Sequence, residues 1–441
     1  MKILLVGSGG REHALCWSLK ERAGGSGVQL FCAPGNAGIA QIARCVPLSA
    51  TDVEGLARFA EDEKIDLTIV GGEAPLAAGL VDEFERRRLV VAGPRREAAR
   101  LESSKVFAKE FMERHSIPTA RFRVADSAEE AREILRRGEF GAEDAPVVVK
   151  ADGLAAGKGV VVARTRAEAQ QAVSELMEGG RVGAEAARRI VIEEALEGRE
   201  ASLLLWTDGR DYALMPPARD HKRVGENDTG ANTGGMGAIT APFVLDEETL
   251  ARIVREIVEP TLDGAQRDGL EFRGVLFVGL MLTREGARVL EYNVRFGDPE
   301  AQAILVRLRS DLARIFDAVA RRDLRNVKVE WSEESSACVV LAARGYPERP
   351  ETGARIEGLE TVERDMPHVR IFHAGTARTA DGTWTTSGGR VLGLTSTGDT
   401  LDQALRRCYE AATLIHWDGL HYRRDIGRFK SKAEGGRRKA E

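Results

Sequence analysis

Short apolar runs closed by glycine constrain the N-terminal hundred residues of this chain more than any other feature. Ile3 to Val6 stops at Gly7, Leu67 to Val70 at Gly71, and Leu89 to Ala92 at Gly93-Pro94. A strand buried on both faces needs an unbroken apolar run, and such strands belong to parallel sheets covered by helices. A helical stretch from about Arg11 to Glu21 follows the first run. The expected unit is a doubly wound parallel sheet, with ligands gathered at the carboxyl ends of its strands.

The chain has 441 residues, too many for one ordinary core. After a charged helical region from Glu97 to His115 the pattern changes. Val147 to Lys150 and Gly159 to Ala163 are strands joined by a short glycine-rich loop, which makes a hairpin and not a strand-to-helix turn. Strands near Arg189 to Ile192, Ala201 to Trp206, Gly274 to Leu282 and Arg288 to Asn293 extend a mixed, largely antiparallel region. Beyond about Arg325 come strand-like segments at Ala337 to Ala343, Val369 to His373 and Arg390 to Thr395, then a helix from Leu401 to Ile415.

Composition excludes several classes of function. The net charge of −5 offers no basic field for nucleic acid. No run of apolar residues is long enough to span a membrane, and the N-terminal apolar run is too brief for a signal peptide. None of Cys16, Cys32, Cys45, Cys338 and Cys408 lies in a C-x-x-C pair, so a reduced, cytoplasmic setting is expected. Lysine is scarce, 12 residues against 52 arginines, so a lysine inside a glycine-rich loop draws attention.

Gly7-Ser8-Gly9-Gly10-Arg11-Glu12 opens the first helix, where backbone N–H groups and the helix dipole favour an anion. A dinucleotide fingerprint requires glycine where Glu12 stands, leaving a phosphorylated sugar or a structural turn. Asn36 and Glu73 sit where loops leave the same sheet and read equally as ligand groups or turn residues. Lys150 to Gly159 reads Lys-Ala-Asp-Gly-Leu-Ala-Ala-Gly-Lys-Gly. It lacks the hydroxyl that ends a P-loop, and is instead a hairpin whose N–H groups and lysines, Lys150 and Lys158, can close over phosphates. The acidic stretch from Glu193 to Glu200 is a solvated turn or a surface for adenine and ribose. Glu291 and Asn293, two apart on a strand, share a face and supply hard oxygen ligands suited to Mg2+, unless they are an exposed edge.

These blocks, in this order, resemble the ATP-grasp superfamily and within it the phosphoribosylamine–glycine ligase family, over essentially 1–427. They are Gly-Ser-Gly-Gly-Arg-Glu-His-Ala at 7–14, Ala-Pro-Gly-Asn-Ala-Gly at 33–38, the stretch at 150–159, Asp-His-Lys-Arg-Val-Gly at 220–225, Asn-Thr-Gly-Gly-Met-Gly at 232–237 and Arg-Phe-Gly-Asp-Pro-Glu at 295–300. Phe-His-Ala-Gly-Thr at 372–376 and Asp-Ile-Gly at 425–427 match the family's C-terminal domain.

The resemblance implies an α/β and α+β multidomain protein. It would have an N-terminal Rossmann-like domain over 1–104, an ATP-grasp domain over 105–325 with a lid over about 120–195, a small mixed C-terminal domain over 326–428 and a disordered tail over 429–441. It assigns ATP to Lys105, Lys150, Gly153, Gly157, Lys158, Gly159, Glu193, Glu194, Leu196 and Glu200, and Mg2+ or Mn2+ to Glu291 and Asn293. Arg295, Asp220, Lys222 and Asp298 would carry the chemistry. Gly9, Gly10, Asn36, Glu73, Asn232, Thr233, Gly234, Gly235, Met236 and Gly297 would receive the substrates, glycine and 5-phosphoribosylamine. A monomer without nucleic-acid, membrane or obligate protein partners is expected. The chain departs from the family at Gly72 and Ala231, where proline is usual, which removes loop rigidity but no functional group. The strand before Glu291, Gly274 to Leu282, offers no carboxylate for a second metal ion.

Overall fold

The computed structural model describes residues 1–22, 27–155, 159–180, 182–184 and 186–428. The expected disordered tail, and Gly157 and Lys158 of the hairpin, lie outside the described residues.

The N-terminal apolar runs become the centre of a five-stranded sheet. Its order is Arg44–Cys45, Gln29–Pro34, Lys2–Gly7, Leu67–Val70, Val91–Ala92, and every pairing is parallel. Ile3, Leu4, Leu5 and Val6 are wholly buried, because helices cover both faces as the unbroken apolar run required. Each such side chain contributes roughly 1.5–3 kcal/mol. Two of these strands have weaker signals in the sequence: Gln29–Pro34 begins on a polar residue and ends on a proline, and Arg44–Cys45 is two residues long. The expected strand from Leu89 shortens to Val91–Ala92.

The helical region after this sheet is two helices, Arg96–Ser103 and Lys105–Arg114. Ser104 breaks them with extended backbone angles, and its hydroxyl accepts the Phe107 N–H to cap the second helix. The break sets Lys105 in the first turn of the new helix.

Phe122–Ala125, Ile190–Glu194, Val147–Ala151 and Val160–Ala163 form an antiparallel sheet in that order. Helices Ala128–Arg136 and Arg166–Val173 cover it, with a separate core of Val147, Val149, Ile190, Ile192, Ala131 and Leu176.

A nine-stranded sheet forms the body of the molecule. Along it run Gly286–Asn293, Gly274–Thr283, Arg199–Thr207, Ala218–Asp220, Gly237–Thr240, Ser335–Ala342, Arg390–Gly398 and Val369–His373, all antiparallel, with Tyr212–Leu214 paired to Arg199–Thr207. The C-terminal strands therefore continue the central sheet through the pairing of Gly237–Thr240 with Ser335–Ala342. One hydrophobic core joins Leu4 and Phe31 of the first sheet to Leu203 and Val278 of the body and to Leu341 and Leu394 near the C-terminus. The result is a multidomain α/β protein with a parallel N-terminal sheet, antiparallel central sheets and a small C-terminal domain.

Candidate active site

The hairpin with the Gly/Lys loop is fastened to the body at its base. Asp152 Oδ1 accepts from Ser104 Oγ at 2.9 Å and from the Val106 N–H at 3.2 Å, at the positive end of a helix dipole. Its other oxygen pairs with Arg189 at 2.7 Å. Gly153 takes a φ of +131°, and a Cβ there would come within 2.9 Å of Ala186. Lys105 donates to the Gly153 carbonyl at 2.9 Å, and Lys150 to the Leu290 carbonyl at 3.1 Å. Burial acts to lower the Lys105 ammonium, and so does Lys150 beside it, while Glu291 opposes them. Two lysines near one carboxylate-bearing strand leave positive charge seeking an anion.

Glu291 and Asn293 lie on that strand. Burial alone would raise the Glu291 carboxyl, but Lys222, Lys150, Lys105 and Arg295 outweigh it and keep it ionised. Opposite Glu291 in the register stands Gly279, so the neighbouring strand supplies no second carboxylate there. Lys222 Nζ reaches Glu200 at 3.3 Å and Glu291 at 3.7 Å, and its ammonium is raised first by Glu200.

Beyond this strand the carboxylates and arginines interlock. Arg295 donates to Glu73 at 3.2 Å and to Asn293 Oδ1 at 3.1 Å, and pairs with Glu102 at 2.6 Å. Burial acts to raise Glu73, yet Arg295 and Arg11 hold it below its ordinary value. Arg11 also donates to the Phe296 carbonyl at 3.1 Å. Asp298 accepts from Gln302 at 2.8 Å and pairs with Arg390 at 3.2 Å. Burial would raise Asp298, but Arg390 and Arg11 lower it overall. Asp220 behaves in the opposite way: burial and the neighbouring Glu300 push its carboxyl well up. Glu300 is 3% exposed, accepts from Ser202 at 3.3 Å and is itself raised by burial.

Glycines let these groups approach. A Cβ on Gly235 would meet Pro299 Cδ at 2.4 Å and Asp220 Oδ1 at 2.7 Å, and one on Gly297 would meet Glu300 at 2.3 Å. The Thr233 N–H and hydroxyl both donate to the Lys222 carbonyl, and Thr233 Oγ1 accepts from the Gly235 N–H at 3.0 Å, which fixes the loop after Asn232. The Gly234 N–H donates to the Tyr346 hydroxyl, and Arg390 donates to the Gly234 carbonyl. In the first turn, Gly9 lies 3.4 Å from Asp298 when measured to a Cβ built on it, and Gly10 faces Gln302. The N-terminal glycines and the Asp298 loop thus line one cleft.

The sequence-derived residues do not all face that cleft. Met236 is wholly buried in the core, because Gly237 begins a strand and turns it inward. The Asn36 amide donates to the Ser8 and His373 carbonyls and accepts from the Gly38 and Ile39 N–H groups, so it pins the loop. Both Glu194 oxygens are taken by Arg121, and half-buried Leu196 follows the strand Ile190–Glu194. Glu193 is 2% exposed and pairs with Lys150 at 2.9 Å.

Other members of the cluster escaped the sequence reading. Glu12, the residue that excludes a dinucleotide fingerprint, accepts from the Gly9 N–H at 2.6 Å. A Cβ on Gly7 or Gly71 would collide with its side chain, so the two strand ends close around Glu12. Lys109 stands one helical turn from Lys105, and its scarcity as a lysine was the available signal. Arg11 and Glu300 stand inside the blocks at 7–14 and 295–300 without a role of their own assigned there, and Glu102 and Arg390 come from segments with no motif; only the fold brings the four together.

A hairpin with Lys150 at its base, over a strand bearing Glu291 and Asn293 and set against a parallel N-terminal sheet, fits an ATP-grasp enzyme. A solved biotin carboxylase from Campylobacter jejuni shares this fold over 95% of the chain and 92% of its own, at a TM-score of 0.68 and 16% identity. The chain belongs to the phosphoribosylglycinamide synthetase family, whose N domain matches residues 1–102, ATP-grasp (A) domain 103–301 and C domain 336–429. A phosphoribosylamine–glycine ligase from Xanthomonas axonopodis pv. citri is 46% identical over 430 residues, 97% of each chain. The crystal structure of the phosphoribosylamine–glycine ligase from Thermotoga maritima superposes with a TM-score of 0.82 at 36% identity, covering 96% of this chain and 100% of that one.

Proposed function

We propose that this chain uses ATP to join glycine to 5-phosphoribosylamine, giving glycinamide ribonucleotide, ADP and phosphate in purine biosynthesis. The observation that carries the reading is the position of the Glu291–Asn293 strand, between Lys105 and Lys150 on one side and the acceptor cluster of Arg295, Asp298, Asp220 and Lys222 on the other. Full-length relatives bearing the ligase name support it.

Glycine's carboxylate is already a nucleophile, so its attack on the γ-phosphate, forming glycyl phosphate, requires charge neutralisation and alignment and no Ser, Cys or His. Lys105 and Lys150 would meet the phosphates, the loop from Asp152 to Gly159 would cover them, and Glu193, Glu194, Leu196 and Glu200 would border the adenosine. Glu291 and Asn293 offer the hard oxygens that suit Mg2+ or Mn2+ carried with phosphate; the ion would supply further charge neutralisation. Gly9, Gly10, Glu73, Gly234, Gly235 and Gly297 would line the acceptor side.

The amine of the second substrate then attacks glycyl phosphate and must lose a proton. Asp298, held low by its arginines, is a weak base, whereas Asp220, pushed up beside Glu300, is better matched to accept that proton. The reading takes the protein to be a monomer. Five free thiols support a cytoplasmic setting, and the division into domains at 1–104, 105–325 and 326–428 accompanies the reading. The test is ADP release from Mg-ATP with glycine or freshly made phosphoribosylamine omitted in turn. Release requiring both, with glycinamide ribonucleotide identified by mass spectrometry, is expected; release with a different amine acceptor would reject the named reaction.

A further inference from the structure

Glu193 carries two lysines on one oxygen. Lys150 Nζ lies 2.9 Å from Glu193 Oε1, and Lys109 Nζ lies 3.2 Å from the same atom. All three groups are buried: Lys109 and Glu193 are each 2% exposed and Lys150 8%. Burying an ammonium costs several kcal/mol unless it is paired, and one lysine would neutralise this carboxylate. The second therefore leaves the cluster one positive charge in excess, at the base of the Gly/Lys hairpin.

The positions of the partners give the excess charge a direction. Lys109 is anchored in the body, on the helix Lys105–Arg114, where its Nζ also donates to Thr119 Oγ1 at 2.7 Å and lies 5.8 Å from the Phe122 ring centre. Thr119 Oγ1 in turn donates to the Val289 carbonyl at 2.6 Å, on the strand that carries Glu291. Glu193 and Lys150 belong to the smaller antiparallel sheet, and Lys150 donates to the Leu290 carbonyl next to Glu291. A Glu193 left to Lys150 alone would hold that ammonium in a closed ion pair. A Glu193 already met by Lys109 holds it more weakly.

We propose that Lys109 is a positioning residue for nucleotide binding: by sharing the Glu193 carboxylate it leaves the Lys150 ammonium less tightly paired and free to meet the phosphates. This rests on the reading of Lys150 as a phosphate-binding lysine. The groups facing Lys109 are Glu193, Lys150 and Glu194, besides Thr119 and Phe122. Burial lowers its ammonium to about 8, with Glu193 opposing and Lys150 adding to the fall. Loss of its proton above that pH therefore returns Glu193 to Lys150.

The test compares ATP KM and kcat for wild type, Lys109→Met and Lys109→Arg, with glycine and phosphoribosylamine saturating. Lys109→Met is expected to raise the ATP KM about tenfold, the equivalent of one charge-assisted hydrogen bond, with kcat changed far less. Lys109→Arg keeps a cation beside Glu193 and is expected to regain most of that loss, with a KM that stays flat from pH 7 to 9 because arginine keeps its proton there. An unchanged KM in Lys109→Met, or an arginine variant as poor as the methionine one, overturns the proposal. Wild-type enzyme gives a reading that needs no folded variant: its ATP KM should rise above about pH 8, and a flat KM from pH 7 to 9 also overturns it. Calorimetric ATP binding without glycine reports the same change in Kd. It separates failure of this inference from failure of the ligase reading.

Discussion

Single residues at this site act through charge and clearance. Lys150→Ala removes a cation from the hairpin base, and the expected result is a higher ATP KM and slower turnover; unchanged kinetics would take Lys150 out of the site. Glu291→Ala should blunt the dependence of turnover on Mg2+ concentration while circular dichroism stays native, since the carboxylate sits among four cations and holds no helix or strand in place. Gly235 makes a steric prediction. Its φ of +113° and the 2.4 Å and 2.7 Å approaches to Pro299 and Asp220 leave no room for a methyl group. Gly235→Ala should lower kcat on the order of 10²-fold by displacing Asp220, and a kcat within a few-fold of wild type would show that the loop relaxes elsewhere.

At the scale of elements, the break at Ser104 links helix capping to the glycine-rich hairpin. The hydroxyl caps the helix through the Phe107 N–H and holds Asp152 at 2.9 Å. Ser104→Ala should cost about 1 kcal/mol in stability through the lost cap, and should raise the ATP KM because the hairpin base loosens. Ser104→Thr keeps both bonds and should restore both properties. Denaturant unfolding and ATP titration check the pair, and a stability loss without a KM change would detach the cap from the nucleotide site. This break was not legible in the sequence: the charged stretch from Glu97 to His115 has no proline or glycine, and a serine reads equally as helix interior or cap. By contrast, the strand Val369–His373 has the bounds its apolar pattern gives.

Across the whole molecule, the first helix and a C-terminal strand meet through histidines. The His373 N–H donates to His13 Nδ1 at 2.8 Å, and their rings lie 5.5 Å apart. Burial, and for His13 also the neighbouring His373, lowers them to about 3 and about 4 from an ordinary 6.5. The folded protein keeps both neutral while the unfolded chain protonates them. Their contribution is thus complete above about pH 6.5 and is lost as pH falls toward 4 and then 3. Between pH 7.5 and 5.5 this amounts to about 1 kcal/mol per histidine. The urea midpoint should fall over that interval, and fall less in His13→Gln; identical pH dependence in the two proteins would place the acid sensitivity elsewhere.

Local chemistry was enough to mark the parallel N-terminal sheet, the glycine-rich hairpin, and the strand that carries Glu291 and Asn293, because each depends on residues within ten positions: an apolar run, glycines between two strands, alternation along one strand. It was also enough to place the chain among ATP-grasp ligases, since the blocks recur in order along the sequence. Charge pairing at long range was decided only by the tertiary structure. Arg390 reaches Asp298 across 92 residues, Arg11 reaches Phe296 across 285, and Lys109 shares Glu193 with Lys150 from a different element. Which carboxylate is held ionised and which is pushed up follows from those neighbours and from burial, and neither quantity is local to the residue that titrates. The same holds for Met236, whose motif pointed at the substrate while the sheet register turned its side chain into the core.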